Sequence, residues 1–243
     1  MLLAAGLAAG CAGVSGPAAT SAAPAASTAA SAEGHPDDPW EGFNRGIFAF
    51  NEKLDAWVLK PVAKGYDAVT PTPVRVGVAN FFGNLGDVWV GTNNLLQGKP
   101  RDAASDLGRF VVNSTMGVAG LIDVASPMGL DKHGEDFGQT LAVWGLRSGP
   151  YLVLPVLGPS TARDAGGTVF DLGANAVNLF DPESARYLLN GLNLIDRRAE
   201  LLPSDKVVEE AALDKYSYFR SAFLQRRHYL IFDGNPPREE IPE

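Results

Sequence analysis

The run Thr72-Pro73-Val74-Arg75-Val76-Gly77-Val78-Ala79-Asn80-Phe81-Phe82-Gly83-Asn84-Leu85-Gly86-Asp87-Val88-Trp89, continuing to Gly98, carries the fold class. Val74, Val78, Phe81, Phe82, Leu85, Val88, Trp89, Leu95 and Leu96 recur at helical spacing. Thr72-Pro73 is a helix start and Gly98 a natural stop. Upstream, Asp38-Pro39-Trp40-Glu41 offers a capping Asp, a first-turn Pro and a capping-box Glu. Ile47, Phe50, Leu54, Trp57, Val58, Pro61 and Val62 follow by threes and fours, and Pro61 is expected to kink or end that helix near Lys60. Downstream, Ala103, Ala104, Leu107, Phe110, Val111, Val118, Leu121 and Ile122 form a further stripe. Asp181-Pro182 opens another, with Leu188, Leu192, Ile195, Ala199 and Leu202 on one face. A last helix follows Pro203-Ser204, carries Val208, Ala211, Phe219, Ala222, Phe223 and Leu230, and is expected to end at Gly234. No stretch alternates by two in the same way. The predicted class is all-α, a single helical domain with no sheet beyond an isolated short pair.

The ends differ from this middle. All 22 aromatic residues of the 243 lie between Trp40 and Phe232, and the first Lys or Arg is Arg45. Ala12 to Pro39 is Ala, Ser, Thr, Pro and Gly with a few late acids, so it has little to bury and reads as a flexible tether. The expected organisation is an apolar signal-peptide remnant at 1–10, Cys11 and a disordered tether over 11–36, the helical domain over 37–234, and a disordered tail over 235–243. The lone Cys11 ends the apolar leader MLLAAGLAAGC, as the Cys of a bacterial lipobox does, although Ala8 stands where lipoboxes usually carry Leu. It is the expected lipidation site, and Ala12 beside it permits outer-membrane sorting.

With 20 Lys+Arg against 28 Asp+Glu, the net charge of −8 argues against a nucleic-acid partner. One Cys excludes an internal disulfide framework and any cysteine-based zinc site. The three histidines are far apart, so no metal and no cofactor is expected. There is no Walker A sequence, no G-x-S-x-G elbow and no strand-linked G-x-G-x-x-G, and the residues call for no enzyme. Glu135-Asp136 reads as a solvated first turn, and Arg109 and Arg163-Asp164 as salt-bridged or hydrogen-bonded structural residues, with lining a functional surface the alternative. The odd piece is Gly145 to Pro159. Tyr151, Leu152, Val153, Leu154, Val156 and Leu157 are very apolar, yet Pro150, Pro155 and Pro159 forbid a regular helix, and Gly145, Gly149 and Gly158 bound the run. Such a stretch is either buried in the core or placed against a membrane or partner.

Several blocks then match a known family in order. Asp38-Pro39-Trp40-Glu41-Gly42-Phe43-Asn44-Arg45 with Phe48-Ala49-Phe50-Asn51 resembles the opening signature of the MlaA/VacJ lipoproteins. Arg109 to Thr115 and Gly117 to Asp123 are similar to the family's middle block. Glu135 to Leu141, Trp144-Gly145, Gly149 to Pro155, Gly158 to Ser160, Arg163-Asp164 and Gly167 are similar to its most specific one. The matches span about residues 38–232.

The resemblance implies an outer-membrane lipoprotein of Gram-negative bacteria: a helical ring in the periplasmic leaflet, held against trimeric porins, with a central amphipathic channel. Phospholipids misplaced in the outer leaflet would pass through it to a soluble periplasmic carrier, with energy supplied by an inner-membrane ATP-driven complex. The channel-side loop of the family falls on Gly145 to Pro159, making Gly145, Gly149, Tyr151, Leu152, Val153, Leu154, Val156 and Leu157 the candidate lipid-pathway residues. The alternatives are a structural lipoprotein that only scaffolds porins and a lipid-modifying enzyme, the latter lacking a visible nucleophile.

Overall fold

The computed structural model describes residues 35–237; Cys11, the leader and nearly all of the tether lie outside them, as does the tail beyond 237. The elements in chain order are α1 (Glu41–Leu54), a π turn (Asp55–Leu59), α2 (Lys60–Val69), α3 (Thr72–Leu96), α4 (Pro100–Thr115) and α5 (Phe137–Val143). Then come β1 (Tyr151–Leu154), β2 (Gly158–Thr161), α6 (Ala162–Ala174), a 3-10 turn (Ala176–Leu179), α7 (Glu183–Leu201), α8 (Ser204–Ala211) and α9 (Lys215–Ile231). The protein is all-α, and the described residues hold one two-stranded antiparallel pair with Tyr151 opposite Thr161 and Leu154 opposite Gly158.

Three expectations are corrected, and the two alternatives for Pro61, kink or end, are narrowed. Pro61 does not end its helix. It has no N–H for the carbonyl four residues back, and the backbone widens over Asp55–Leu59, where Lys60 N–H reaches Asp55 O five back; the helix then resumes as α2. The stripe through Ile122 stops at Thr115, because Val118, Ala119 and Gly120 all take positive φ. This reversal lets the Asn113 side chain accept from Val124 N (2.8 Å) and Ala125 N (2.9 Å). The last helix is two: Ala212 is extended, and Asp214 caps α9 by accepting from Tyr216 N at 3.1 Å. Asp38 caps nothing, and its carboxylate is buried instead.

The burial is inverted relative to the apolar stripes. In α3 the buried residues are Gly77, Phe82, Asn84, Asp87, Gly91, Asn93 and Asn94, while Val74, Val76, Leu95 and Leu96 are exposed. The small and polar seam packs on α4, where Ala103, Asp106, Arg109 and Asn113 are buried. At Gly91 an added Cβ would lie 2.9 Å from Leu107 Cγ, so the two helices approach closely there. Among the described residues 17 polar or charged side chains are buried against nine hydrophobic ones, and large apolar side chains such as Trp57, Val69, Phe170 and Leu188 stand in the open.

Packing contacts close a circuit. α1 and α2 run on to α7, α7 meets α3, α3 meets α5, α5 meets α6, and α6 meets the β hairpin, which lies on α1. Two asparagines on one face of α1 hold β1 and the turn that follows it. Asn44 donates to Tyr151 O (3.1 Å) and accepts from Val153 N (2.9 Å); Asn51 donates to Leu154 O (2.9 Å) and accepts from Val156 N (2.8 Å). The edge that would otherwise invite another strand is thereby covered.

Candidate functional site

Three cavities neighbour one another among these elements, each pair sharing a lining residue. The first, about 270 Å³, is walled by Phe48, Leu59, Val156, Leu194, Leu201 and Phe219, with Pro159 and Arg197 at its margin. The second, about 140 Å³, is polar: Asp136, Ser160, Asp164, Thr168, Asp171 and Arg227 line it, again with Pro159. The third, about 170 Å³, lies between α3 and α7 and shares Asp171 with the second and Arg197 with the first. The first cavity is lined mainly by apolar surface and the second by charged side chains. Beside the apolar cavity a wider opening of about 360 Å³ is rimmed by Lys60, Arg198, Asp205 and Lys215. Arg198 there holds Asp55 at 2.6 and 2.9 Å and Asp205 at 2.9 Å.

The polar wall is built by α6. Thr161 caps that helix by accepting from Asp164 N at 3.2 Å, and Asp164, Thr168 and Asp171 then fall on one face at intervals of four and three. Asp171 Oδ1 accepts from Trp89 Nε1 (2.7 Å) and from Phe137 N (2.9 Å). Burial nevertheless pushes its carboxyl above the ordinary range, and the Asp136 charge adds to the effect. Arg227 of α9 grips both oxygens of Asp136 and also donates to Asp164 Oδ1 at 2.8 Å. Burial works against both members of the Asp136–Arg227 pair. Their hydrogen bonds and mutual charge outweigh it, holding Asp136 below and Arg227 above the usual range.

The expected lipid-pathway residues divide. Tyr151 and Val153 are buried in a small core with Tyr216, against Ile47, Phe48, Phe223 and Leu224. Leu152 and Leu154 are half-buried, whereas Val156 and Leu157 at the hairpin tip are exposed, and Val156 lines the apolar cavity. Gly145 and Gly149 have φ of +92° and +67°, so the turn itself requires them. Glu135-Asp136 is not a solvated turn. Asp136 caps α5 by accepting from Gln139 N at 2.9 Å, and Glu135 accepts from Gln97 at 2.8 Å in a nearly closed position. Arg109 is a buried clamp on Asp123 (2.9 Å), Ser126 (2.9 Å) and Leu130 O (2.8 Å), as expected of a structural ion pair. Asp164 pairs with Arg163 at 2.9 Å but also lines the polar cavity. The sequence reading did not single out Thr168, Asp171, Arg197 or Arg227. The signal for the first two was the polar stripe Asp164-Thr168-Asp171 inside an otherwise apolar helix.

Comparison with known proteins agrees with this architecture. A protein of Escherichia coli K12 named as the intermembrane phospholipid transport system lipoprotein MlaA is 36% identical over 211 residues, 84% of this chain and 82% of its own length. The protein of that name from Haemophilus influenzae is 32% identical over 215 residues, covering 85% of each. A solved structure, described as the structural basis for maintenance of bacterial outer membrane lipid asymmetry, superposes with a TM-score of 0.70 at 35% identity, over 82% of this chain and 99% of that one. The family model of the MlaA lipoprotein matches residues 36–230, and the chain therefore belongs to the MlaA lipoprotein family.

Proposed function

We propose that this protein is a phospholipid conduit of the outer membrane: it takes misplaced phospholipids from the outer leaflet, passes them through the connected cavities and hands them to a soluble periplasmic carrier. The observation that carries the reading is the two-faced interior. Apolar walls from Phe48, Val156, Leu194 and Phe219 suit acyl chains, and the charged wall on α6 and α9 suits a headgroup. The closed circuit of helices supports a ring around that space. The exposed apolar faces, on helices none of which in the described residues is long and apolar enough to cross a membrane, support a seat within one leaflet. Cys11 is the proposed lipid anchor, and trimeric porins are the proposed support. The hairpin tip, Val156 and Leu157 between Gly145 and Pro159, borders the pathway in this reading. The protein performs no bond chemistry.

The full chain purified from membranes in mild detergent should carry phospholipid, detected by mass spectrometry, and pass it to the carrier. Val156→Trp, which fills the apolar cavity from its rim, should cut transfer at least tenfold. A folded wild-type chain that captures porin yet carries and transfers no phospholipid would be a scaffold, and the conduit reading would fall.

A further inference from the structure

The polar cavity between α6 and α9 holds more than the structural ion pairs need. Asp164 is 6% exposed, its Oδ1 accepts from Arg163 and Arg227, and its Oδ2 is buried with no hydrogen-bond partner. A buried carboxylate oxygen without a donor is costly, so the site is short of an N–H or O–H group. Seven residues on, Asp171 lines the same cavity, with its Oδ1 held by Trp89 and Phe137. On the facing helix, Arg227 Nε is a buried donor with no acceptor. Three carboxyls, Asp136, Asp164 and Asp171, line the cavity with one guanidinium, that of Arg227, and Arg163 pairs with Asp164 beside it. The space of about 140 Å³ has room for four or five waters at about 30 Å³ each. That suits a headgroup and is too small for an acyl chain, for which the apolar cavity adjoins at Pro159.

We propose that this cavity is a headgroup subsite that selects phospholipids bearing a primary ammonium: Asp164 Oδ2 and Asp171 accept its N–H donors, and Arg227 Nε donates to the phosphate. The proposal rests on the conduit reading and adds the headgroup class to it. Phosphatidylethanolamine supplies both the donors and the cation. Phosphatidylcholine supplies a cation without an N–H, and phosphatidylglycerol supplies hydroxyls without a cation, so each leaves part of the site unsatisfied.

The test offers the full chain an equimolar detergent mixture of phosphatidylethanolamine, phosphatidylcholine and phosphatidylglycerol with identical acyl chains, then measures the bound lipids by mass spectrometry. Wild type should enrich phosphatidylethanolamine at least threefold over each competitor. Asp171→Asn should bring the ratio close to one; the amide oxygen can still accept from Trp89 and Phe137, so the fold is kept. Asp164→Asn tests the second acceptor, with a thermal midpoint to confirm folding, because it also frees Arg163 and Arg227. Free O-phosphoethanolamine should bind at least a hundredfold more weakly than the lipid, and equal affinity would overturn a lipid ligand. Lipid bound without headgroup preference, or a preference that survives in folded Asp171→Asn, overturns the subsite while leaving the conduit intact. A wild-type chain that binds none of the three lipids overturns both.

Discussion

Asp38 sits in a sequence that reads as a helix start, Asp-Pro-Trp-Glu, yet its carboxylate turns inward and is fully buried. Asn44 donates to it at 2.8 Å, Arg220 at 2.9 Å, and the Tyr216 hydroxyl makes a short bond. Burial works to raise its pKa, but those three donors outweigh it and hold the carboxyl below the usual range. A group lowered in this way adds stability that is fully present above about pH 3.9 and is lost as pH falls through the folded value. Asp38→Ala leaves Arg220 with only Glu41 at 3.2 Å, and should lower unfolding free energy by about 3–5 kcal/mol in urea titration at pH 7. A loss under 1 kcal/mol would mean that the pair is dispensable. The sequence showed a helix nearby but not this role, because the partners Tyr216 and Arg220 are 178 and 182 residues away. Arg109 and Arg163-Asp164 were legible as ion pairs, since an ionised group beside apolar stripes must be partnered. That Asp164 also lines a cavity was not, because a free carboxylate oxygen has no sequence signature.

At the scale of elements, helices announced themselves and their packing did not. α3 matches its expected span from Thr72 to the stop at Gly98, which takes φ +78°. Its apolar stripe was the natural candidate for the buried face, yet the seam against α4 is Gly, Asn and Asp. Periodicity reports that a helix has two faces; it cannot say which one meets water, lipid or protein. The short strands were legible as a non-helical run through their prolines, and the two asparagines that brace them lay unread in α1. Glycines sort in the same way. Gly167 touches α5: an added Cβ would lie 2.6 Å from Gly138 N and 2.8 Å from Gly138 Cα. Its neighbour Gly166 has open space around that position and is exposed. Gly167→Ala should therefore destabilise by about 1–3 kcal/mol through a clash with rigid backbone, while Gly166→Ala should stabilise by up to about 1 kcal/mol through helix propensity. Thermal melts of the two variants read the contrast, and equal shifts would contradict the close approach.

Among the described residues, buried polar side chains outnumber buried hydrophobic ones while many large apolar side chains face outward, an unusual balance for a protein surrounded by water. Trp57 and Val69 are 77% and 81% exposed on the continuous α1–α2 rod. If that face is seated in lipid, Trp57→Ser in a full chain also carrying Cys11→Ser should weaken vesicle partitioning by about tenfold, near the 1.5 kcal/mol of one large apolar side chain. Unchanged partitioning would remove Trp57 from the membrane face. The circuit of helices has a further consequence, for the order in which the chain can fold. The circuit closes where the β hairpin lies on α1, and a separate ion pair joins Asp38 to Arg220, near the first and last parts of the described residues. During synthesis and export the amino-terminal helices emerge long before α9, and contacts so distant in sequence form slowly. Until residue 220 arrives, the polar seams and the apolar exterior are exposed together in an open chain, the kind of intermediate that aggregates. A domain clasped between Asp38 and Arg220 is thus expected to need shielding from aggregation until its last helix is in place.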